Sequence, residues 1–313
     1  MAALNATIIP WSSLLLKGIP GAEDAHIWIS IPLVILSLLS VLGNGLILLI
    51  IKTHNQFDDP MYRFLAMLAL SDLGLTISTS PTILGMFWFN ARDVNFDLCL
   101  TQMFFFQSFS SLESSILVLM AFDRFVAICY PLRYMSVLTN PSIFKMGVMA
   151  VLRSTCLHVP EPILLKRLRY CHNNVLSHAF CFHPDLIRLA CSDTTINSIY
   201  GLVLVLSTFL LDSLLIIFSY VMILRAVLRL NSLEKRVKTF STCVSHGCVV
   251  LISYIPLIGL TVVHRFGKDA SPLIHVLMGI TYVFLPPALN PIVYSLKHSK
   301  IKEVLLKHLL VTT

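Results

Sequence analysis

Seven stretches of the chain are long, mostly apolar and almost free of charge. Numbered in order as span 1 to span 7, they are His26–Ile51, Met61–Met86, Leu98–Cys129, Ile143–Leu165, Ile196–Leu228, Val237–Val263 and Pro272–Leu296. A hydrocarbon core about 30 Å thick is crossed by about 20 apolar residues in helical form. Each stretch is therefore long enough to cross a membrane, and together they leave no room for a water-soluble domain. We expect an all-α membrane protein built as a seven-transmembrane helix bundle.

The composition also indicates a membrane protein. Hydrophobic residues make up 56% of the chain, charged residues make up 12%, and the mean hydropathy is +0.82, whereas a soluble domain has about 25% charged residues. The net charge of +7 does not require nucleic acid, because basic residues on the cytoplasmic side are attracted by anionic lipid. Membrane lipid is thus an expected partner, and nucleic acid is not.

The distribution of basic residues predicts the orientation. With the N-terminus outside, the cytoplasmic side holds 14 Lys and Arg residues and the outer side holds 8, which satisfies the positive-inside rule. We therefore expect a multi-pass protein of the plasma membrane with an extracellular N-terminus. It would be a single domain, with an extracellular tail over residues 1–25, the bundle over 26–296 and a cytoplasmic tail over 297–313.

The two tails carry further signals. No cleavable signal peptide is recognised before span 1, so the extracellular tail is expected to be kept, with a glycosylation sequon at Asn5. The stretch "SKIKEVLLKHLL" after span 7 combines apolar and basic residues at helical spacing. That pattern is typical of a short amphipathic helix along the inner membrane surface, here called helix 8.

Four cysteines fall on the predicted outer side, where disulfides form and persist. They are Cys99, Cys171, Cys181 and Cys191. Four cysteines permit three pairings, and the sequence alone does not choose among them.

A few ionisable residues lie within the apolar spans, where a charge is costly and indicates function. They are Asp72, Glu113, Arg153 and Asp212. Asp72 and Glu113 are placed to share a cation or a proton. The alternative is two neutral acids that are hydrogen-bonded to neighbouring groups without an ion. Arg153 is expected to snorkel or to pair with an interior polar group, and we assign it no function.

The stretch "MAFDRFVAIC" ends span 3 and places Asp123 next to Arg124. Adjacent residues do not share a helix face, but the long arginine side chain can fold back onto its neighbour. An ion pair of this kind can hold a helix bundle closed until a partner protein competes for the arginine. The alternative is simple anchoring of the helix by a basic residue at the interface.

Six motifs in order along the chain carry a family resemblance. They are "GNG" (Gly43–Gly45), "PMYRFLAMLALSDL" (Pro60–Leu73), "MAFDRFVAICYPLRY" (Met120–Tyr134), "SY" (Ser219–Tyr220), "KTFSTCVSH" (Lys238–His246) and "NPIVYSL" (Asn290–Leu296). With these motifs the sequence resembles the rhodopsin-like G protein-coupled receptors and, among them, the vertebrate olfactory receptors. The stretches "FWFNAR" and "PLIGLTVVHRFG" are similar to the fish-like class I subset.

The resemblance implies a structural framework and a function. It implies disulfides Cys99–Cys181 and Cys171–Cys191, and it favours an interior sodium or water site at Asp72 and Glu113 that includes Asn44, Asn290 and Tyr294. The implied function is an odorant receptor that activates a heterotrimeric stimulatory G protein and raises cyclic AMP. The G protein alpha subunit would contact Arg124, with Tyr220 and Lys238 beside it. Asp123, which would release the arginine, and Tyr294 are the other implied switch residues.

The resemblance to the class I subset implies a small volatile ligand that is aliphatic or bears a carboxylic acid. Arg265 lies three helical turns beyond Tyr254, at the outer end of span 6, where a guanidinium can bind a carboxylate through two hydrogen bonds. The alternative is a surface arginine paired with Asp269 or with a loop acid. The other expected ligand-binding residues are Thr261, Tyr254, Gln107, Phe106, Ser110 and His183. Gln107 and Pro184 replace residues common in acid-binding relatives, which favours a longer or less polar ligand.

Other classes of protein fit the sequence less well. A transporter would show broken helices, inverted repeats or a chain of ionisable groups. An enzyme would show a motif such as H-E-x-x-H or G-x-S-x-G or a metal-ligand spacing, so no catalytic residue and no cofactor beyond the sodium ion is expected. A metabolite sensor of the same family outside the nose is the remaining alternative, because sequence does not separate tissue from biochemistry.

Overall fold

The computed structural model describes residues 13–16, 26–171, 174–229, 232–266, 272–297 and 300–304. Its elements in chain order are β1 (Ser13–Leu16), α1 (His26–Thr53), α2 (Pro60–Phe89), β2 (Asp93–Asn95), α3 (Phe96–Cys129), α4 (Tyr134–Val137), α5 (Asn140–His158), α6 (Pro160–Lys166), β3 (Val175–Leu176), α7 (His183–Arg188), α8 (Thr195–Val205), α9 (Leu211–Leu228), α10 (Leu233–Phe266) and α11 (Pro272–Lys297).

The predicted seven-helix bundle is confirmed. Spans 1, 2 and 3 are α1, α2 and α3, span 4 is α5 with α6, span 5 is α8 with α9, and spans 6 and 7 are α10 and α11. Span 3 lies at the centre and packs against spans 2, 4, 5 and 6, while span 7 packs against spans 1, 2 and 6. The helices therefore form a closed ring around a common interior.

The apolar lengths within the described residues fit a membrane. Five stretches cross one by length and composition alone, namely Ile27–Thr53, Pro60–Phe89, Asn140–Lys166, Thr195–Leu228 and Leu273–Leu296. Phe96–Cys129 meets the same criterion together with Pro131–Val137, from which it is bent by 115°. Span 6 has a shorter apolar stretch, His246–Val262, because its first turns are charged.

Two spans are not regular helices. Span 4 divides after His158 because Pro160 cannot continue the hydrogen-bond ladder. Span 5 contains a π-helical turn over Leu206–Leu210, and such turns are frequent at functional sites. Both irregularities lie at the cavity described below.

A three-stranded sheet was not expected from the sequence, which predicted only helices. The strand order is β2-β1-β3: β1 runs antiparallel to β2, with Leu14 opposite Val94, and parallel to β3, with Leu16 opposite Leu176. Leu14 and Leu16 are fully buried in the hydrophobic core beneath the sheet. Strand β1, which precedes span 1, is thus packed onto the bundle.

Both disulfides implied by the resemblance are present at the same end of the bundle. Cys99 at the start of α3 is bonded to Cys181, and Cys171 is bonded to Cys191. We call this the disulfide end and the opposite one the Arg124 end. Of helix 8, only residues 300–304 are described; they are helical, with Ile301 buried, and the rest of its sequence lies outside the described residues.

Candidate ligand pocket and interior polar networks

A cavity of about 520 Å³ lies towards the disulfide end, between spans 3, 4, 5 and 6 and beneath α7. Its wall is largely apolar, with Phe182, Ile187, Leu204, Val205 and Phe209 among the residues that line it. Small-molecule sites are concave and mostly apolar, with a few polar groups that fix the orientation of the ligand. The cavity has this character and is the candidate ligand pocket.

Its polar wall is formed by four residues that we call the Glu161 cluster: Gln107, His158, Glu161 and His183. His158 Nδ1 lies 2.8 Å from Glu161 Oε2. With the Gln107 amide oriented so that its nitrogen donates, that nitrogen lies 2.7 Å from Oε2 and 2.9 Å from Oε1. Glu161 is only 1% exposed, so its carboxylate is stabilised by donors from spans 3 and 4 in place of water.

His183 completes the cluster from α7. Its Nδ1 lies 3.9 Å from Glu161 Oε1, which is too long for a hydrogen bond. Span 5 approaches it at Gly201, where a Cβ would lie 3.1 Å from His183 Cε1. Burial lowers the pKa of His183 below its usual value, although the negative charge of Glu161 acts in the opposite direction.

Two buried nitrogen atoms in cavity-lining residues lack a hydrogen-bond partner among the described residues. They are His183 Nε2 and Asn197 Nδ2. Buried polar groups in folded proteins are nearly always paired with protein or water. Their unmet capacity indicates that this wall of the cavity is built to receive a polar group.

The predicted ligand-binding residues divide into two groups. Gln107, His183 and Thr261 line the cavity. Phe106 and Ser110 point instead towards span 7, where Phe106 packs on Phe180 and Tyr282 and Ser110 bonds with the Tyr282 hydroxyl. The cavity thus opens towards spans 4 and 5 rather than span 7.

Tyr254 lies below the cavity and is linked to it through an aromatic contact. Its ring packs edge-on against Phe209, with centroids 6.1 Å apart. Its hydroxyl lies 2.7 Å from Ser114 Oγ, which in turn donates to Asp212 Oδ2 at 2.8 Å. A change at Phe209 can therefore reach span 6 and the polar interior without a direct contact between Tyr254 and the ligand.

Three predicted site residues cannot be assessed. Asn5 and the side chains of Lys238 and Arg265 lie outside the described residues. Arg265 belongs to α10, one turn after the cavity-lining Thr261. Their roles remain predictions.

A buried polar network connects spans 2, 3 and 7 at the middle of the bundle. Asn290 Nδ2 donates to Asp72 Oδ2 at 3.0 Å and lies 3.5 Å from Glu113 Oε1. Ser253 in span 6 donates to the same Glu113 oxygen at 2.7 Å. Nearby, Asn44 donates to two backbone carbonyls, from its own helix and from span 7. Asp72, Glu113 and Asn290, three of the residues that the resemblance assigned to one interior network, thus lie together.

This network has spare oxygen atoms. Asp72 Oδ1 and Asn290 Oδ1 are buried and have no hydrogen-bond partner among the described residues. Carboxylate and amide oxygens are the ligands that hard cations prefer. Across the described residues there is no group of three or more His, Cys, Asp and Glu side chains that could hold a metal ion.

The Arg124 end contains the ion pair that the sequence suggested. Arg124 Nε donates to Asp123 Oδ2 at 2.8 Å, and the Tyr134 hydroxyl donates to Asp123 Oδ1 at 2.7 Å. The Asp123 side chain is 1% exposed and the Arg124 side chain 16%. The arginine is therefore held by its neighbour and still reaches the surface of the bundle.

Spans 5 and 6 are joined near this end. The Tyr220 hydroxyl lies 2.6 Å from His246 Nδ1, and the two rings are stacked with centroids 5.8 Å apart. Tyr294 of span 7 is buried, and its hydroxyl contacts Met120 Sδ at 3.7 Å. The predicted switch residues Tyr220 and Tyr294 therefore occupy interfaces between spans.

Sequence reasoning missed Glu161, His158 and Asn197. Glu161 and His158 lie within span 4 as predicted, so the rule that marked Asp72 and Glu113 could also have found them. They stand beside Pro160 near the end of the span, in "HVPEP", where a polar residue is easily attributed to a loop. Asn197 carries no comparable signal.

Squid rhodopsin is a solved structure with this architecture. The match has a TM-score of 0.77 and covers 95% of this chain and 88% of the rhodopsin chain, at 18% sequence identity. A match at this low sequence identity shows a shared fold and nothing more. The match and the seven spans together define a seven-helix membrane bundle with the rhodopsin fold.

Sequence comparison identifies the family. The olfactory receptor family profile matches residues 33–312. Olfactory receptor 51G2 of Homo sapiens is 53% identical over 292 residues, which cover 93% of both chains. Olfactory receptor 51E2 of Rattus norvegicus is 48% identical over 291 residues, covering 93% of this chain and 91% of that one. The chain belongs to the olfactory receptor family, and its relatives agree with the class I subset.

Membership in this family establishes the general function. The chain is an odorant receptor of the G protein-coupled class and a multi-pass membrane protein, and it is not an enzyme. A small-molecule odorant and a G protein are its partners in general terms.

Proposed function

We propose that the receptor binds a small aliphatic or carboxylic-acid-bearing volatile in the cavity and activates a stimulatory G protein, raising cyclic AMP. The observation that carries this proposal is the contact of Phe209, which lines the cavity, with Tyr254 in span 6. Through this contact a ligand in the cavity can favour one packing of span 6 over another. Differential affinity for two packings is what a ligand needs to shift a receptor between states.

The response at the other end follows from the Asp123–Arg124 pair. Outward movement of span 6 would separate the Tyr220–His246 contact and open a cleft beside Arg124. The C-terminal helix of a G protein alpha subunit would then compete with Asp123 for the guanidinium. Tyr220, Tyr294 and Lys238 are the residues we propose to border this cleft.

The carboxylate of an acidic ligand is proposed to bind Arg265. This proposal is supported by the position of Arg265 one helical turn beyond Thr261, which lines the cavity. A guanidinium offers two parallel hydrogen bonds to a carboxylate. We propose that three residues affect ligand binding indirectly, without lining the cavity: Tyr254, Phe106 and Ser110.

The interior network is proposed to hold a sodium ion. Asp72, Glu113 and Asn290 would supply its oxygen ligands, and the bound ion would add a positive charge between two carboxylates. The spare oxygens of Asp72 and Asn290 support this proposal.

The N-terminus is proposed to be extracellular and the protein to reside in the plasma membrane. The excess of basic residues at the Arg124 end supports this orientation, as do the disulfides at the opposite end, because disulfides persist in an oxidising compartment. Asn5 would then be available for glycosylation.

The proposal is tested by measuring cyclic AMP in cells that express the receptor with a stimulatory G protein. Carboxylic acids and matched alcohols are applied to wild type, to Arg265→Ala, and to Arg167→Ala, a control with the same charge change at an exposed position of the disulfide end. An acid response lost only in Arg265→Ala, at equal surface expression, supports the carboxylate anchor. An acid response that survives overturns it, and no cyclic AMP response to any ligand overturns the coupling.

A further inference from the structure

We propose that the Glu161 cluster recognises a hydroxyl group, so that the preferred ligand is an aliphatic compound with a neutral O–H at the end that meets span 4. The inference rests on the proposed function, because it concerns the same cavity. It adds a second point of recognition to the carboxylate anchor at Arg265. The preferred ligand would then be a hydroxy acid rather than a simple fatty acid.

The geometry of Glu161 and His183 supports a bridging group. Glu161 Oε2 accepts from both His158 and Gln107, while the described residues give Oε1 only the Gln107 amide. A carboxylate accepts about four hydrogen bonds in all, so Oε1 retains capacity. The 3.9 Å gap to His183 Nδ1 is too long for a direct bond, and polar contacts of this length are commonly bridged by a third group.

A hydroxyl has the chemistry that this gap requires. It has one hydrogen to donate and two lone pairs with which to accept. Its O–H can donate to Glu161 Oε1 while its oxygen accepts from an imidazole N–H of His183 or from the Asn197 amide, whose Nδ2 lacks a partner among the described residues. One hydroxyl could therefore meet both an acceptor and a donor of the cavity wall.

Other ligand groups fit this wall less well. A carboxylate would bring a second negative charge beside Glu161 in surroundings where charges interact strongly. A ketone can accept but cannot donate to Oε1. An ammonium group has three donors and no acceptor, so it would leave the Asn197 amide nitrogen without a partner. The hydroxyl is the simplest group that satisfies both sides.

The two proposed recognition points belong to different spans. The Glu161 cluster belongs to spans 3 and 4 and α7, whereas Thr261 lines the cavity from span 6, and Arg265 follows one turn later. A chain with a carboxylate at one end and a hydroxyl at the other can therefore engage both. An aliphatic middle part suits the largely apolar wall of the cavity.

The test is a comparison of three matched ligand sets. Hexanoic, octanoic and decanoic acid are each compared with their ω-hydroxy, ω-amino and dicarboxylic counterparts. Cyclic AMP is measured in cells, and ligand-induced thermal stabilisation is measured on the purified receptor, because a ligand that binds the folded state raises its stability whether or not it signals. In wild type we expect an ω-hydroxy acid to act at about tenfold lower concentration than its parent acid, and the diacid to be weakest.

Glu161→Gln separates the charge from the shape of the site. The variant keeps a side-chain oxygen and removes the negative charge, so we expect the disadvantage of the diacid to shrink and the preference for the hydroxy acid to fall. Asp97→Asn is the control, since it makes the same charge change in an exposed surface ion pair with Lys166. If Glu161→Gln fails to reach the membrane, the order of ligand potency on the wild-type receptor still tests the inference.

Each outcome has a distinct meaning. A hydroxy acid no better than its parent acid overturns the inference and leaves the proposed function standing. A preference for the ω-amino acid overturns it in favour of a cation site. Thermal stabilisation ranked as expected without cyclic AMP supports the inference and overturns the proposed coupling. Absence of both stabilisation and signalling with all the ligands overturns the inference.

Discussion

The guanidinium of Arg153 in span 4 meets both carboxylate oxygens of Asp212 in span 5, at 2.9 and 3.0 Å. The same guanidinium donates at 2.7 Å to Ser115 in span 3 and to the Ser207 carbonyl in the π-helical turn of span 5. Three spans are therefore joined by one charged side chain at membrane depth. An isolated charge at this depth would carry a high free-energy cost. In the Arg153–Asp212 pair each charge compensates the other.

We expect Arg153→Met to destabilise the receptor by about 3 to 5 kcal/mol, because Asp212 would remain as an uncompensated buried charge. The double variant Arg153→Met/Asp212→Leu should recover most of this loss, since it removes both charges. Thermal unfolding of the receptor in detergent micelles measures both. The matched control is Arg63→Met, which removes an arginine from a surface pair with Asp58 and should cost at most about 1 kcal/mol. Equal losses for the two single variants would contradict the prediction.

The proposed sodium site predicts a salt effect that depends on Glu113. Replacing choline by sodium at constant ionic strength should raise the odorant concentration for half-maximal cyclic AMP by about fivefold or more, because the ion would tie spans 2, 3 and 7 in the resting packing. Glu113→Gln should remove the shift. Glu234→Gln, on the exposed first turn of α10, serves as the control and should retain it. A shift of the same size in both variants would count against the site.

The strand before span 1 should contribute to stability in spite of its position near the N-terminus. Leu14 is 0% exposed, and its replacement by alanine should cost about 2 to 5 kcal/mol through lost burial and a cavity. Leu15, its partly exposed neighbour in the same strand, provides the control. The apparent melting temperatures of the purified variants measure the effect. A Leu14→Ala receptor that melts like Leu15→Ala would show that the sheet contributes little.

Burial of His183 predicts how stability depends on pH. Its pKa in the folded receptor lies below the ordinary value of 6.5, so the unfolded chain binds the proton more readily. The neutral form is present in both states above about pH 6.5, and stability should fall as the pH drops below that value. His183→Asn should have a shallower decline in melting temperature between about pH 7.5 and pH 5.5. Parallel declines in wild type and variant would refute this assignment.

The sequence predicted the spans well because the membrane imposes a single requirement on each of them, an apolar length of about 20 residues. It predicted span 5 as one continuous helix, and α8 and α9 do form one continuous span. The π-helical turn at Leu206–Leu210 could not be predicted, because it has no signature in the amino-acid composition. The disulfide pairing came from the resemblance, because cysteine counting left three choices.

The sheet and the polar wall of the cavity escaped prediction for different reasons. The strands have two to four residues, too few for an alternating pattern, and their partners lie far away in sequence. Glu161 was overlooked because its burial depends on the turn after His158, which brings α6 over the cavity. Gln107 was correctly placed at the cavity, but its neighbour Phe106 faces Tyr282 instead, since adjacent helical residues point in different directions.

The order of the strands in the sheet has a consequence for biosynthesis. The central strand, β1, leaves the ribosome first, while β2 follows span 2 and β3 follows span 4. The sheet can close only after residue 176 has been translated and four helices have been inserted. Ser13–Leu16 can pair with β2 once residue 95 has been translated, but its other edge stays unpaired while spans 3 and 4 are inserted, until β3 emerges.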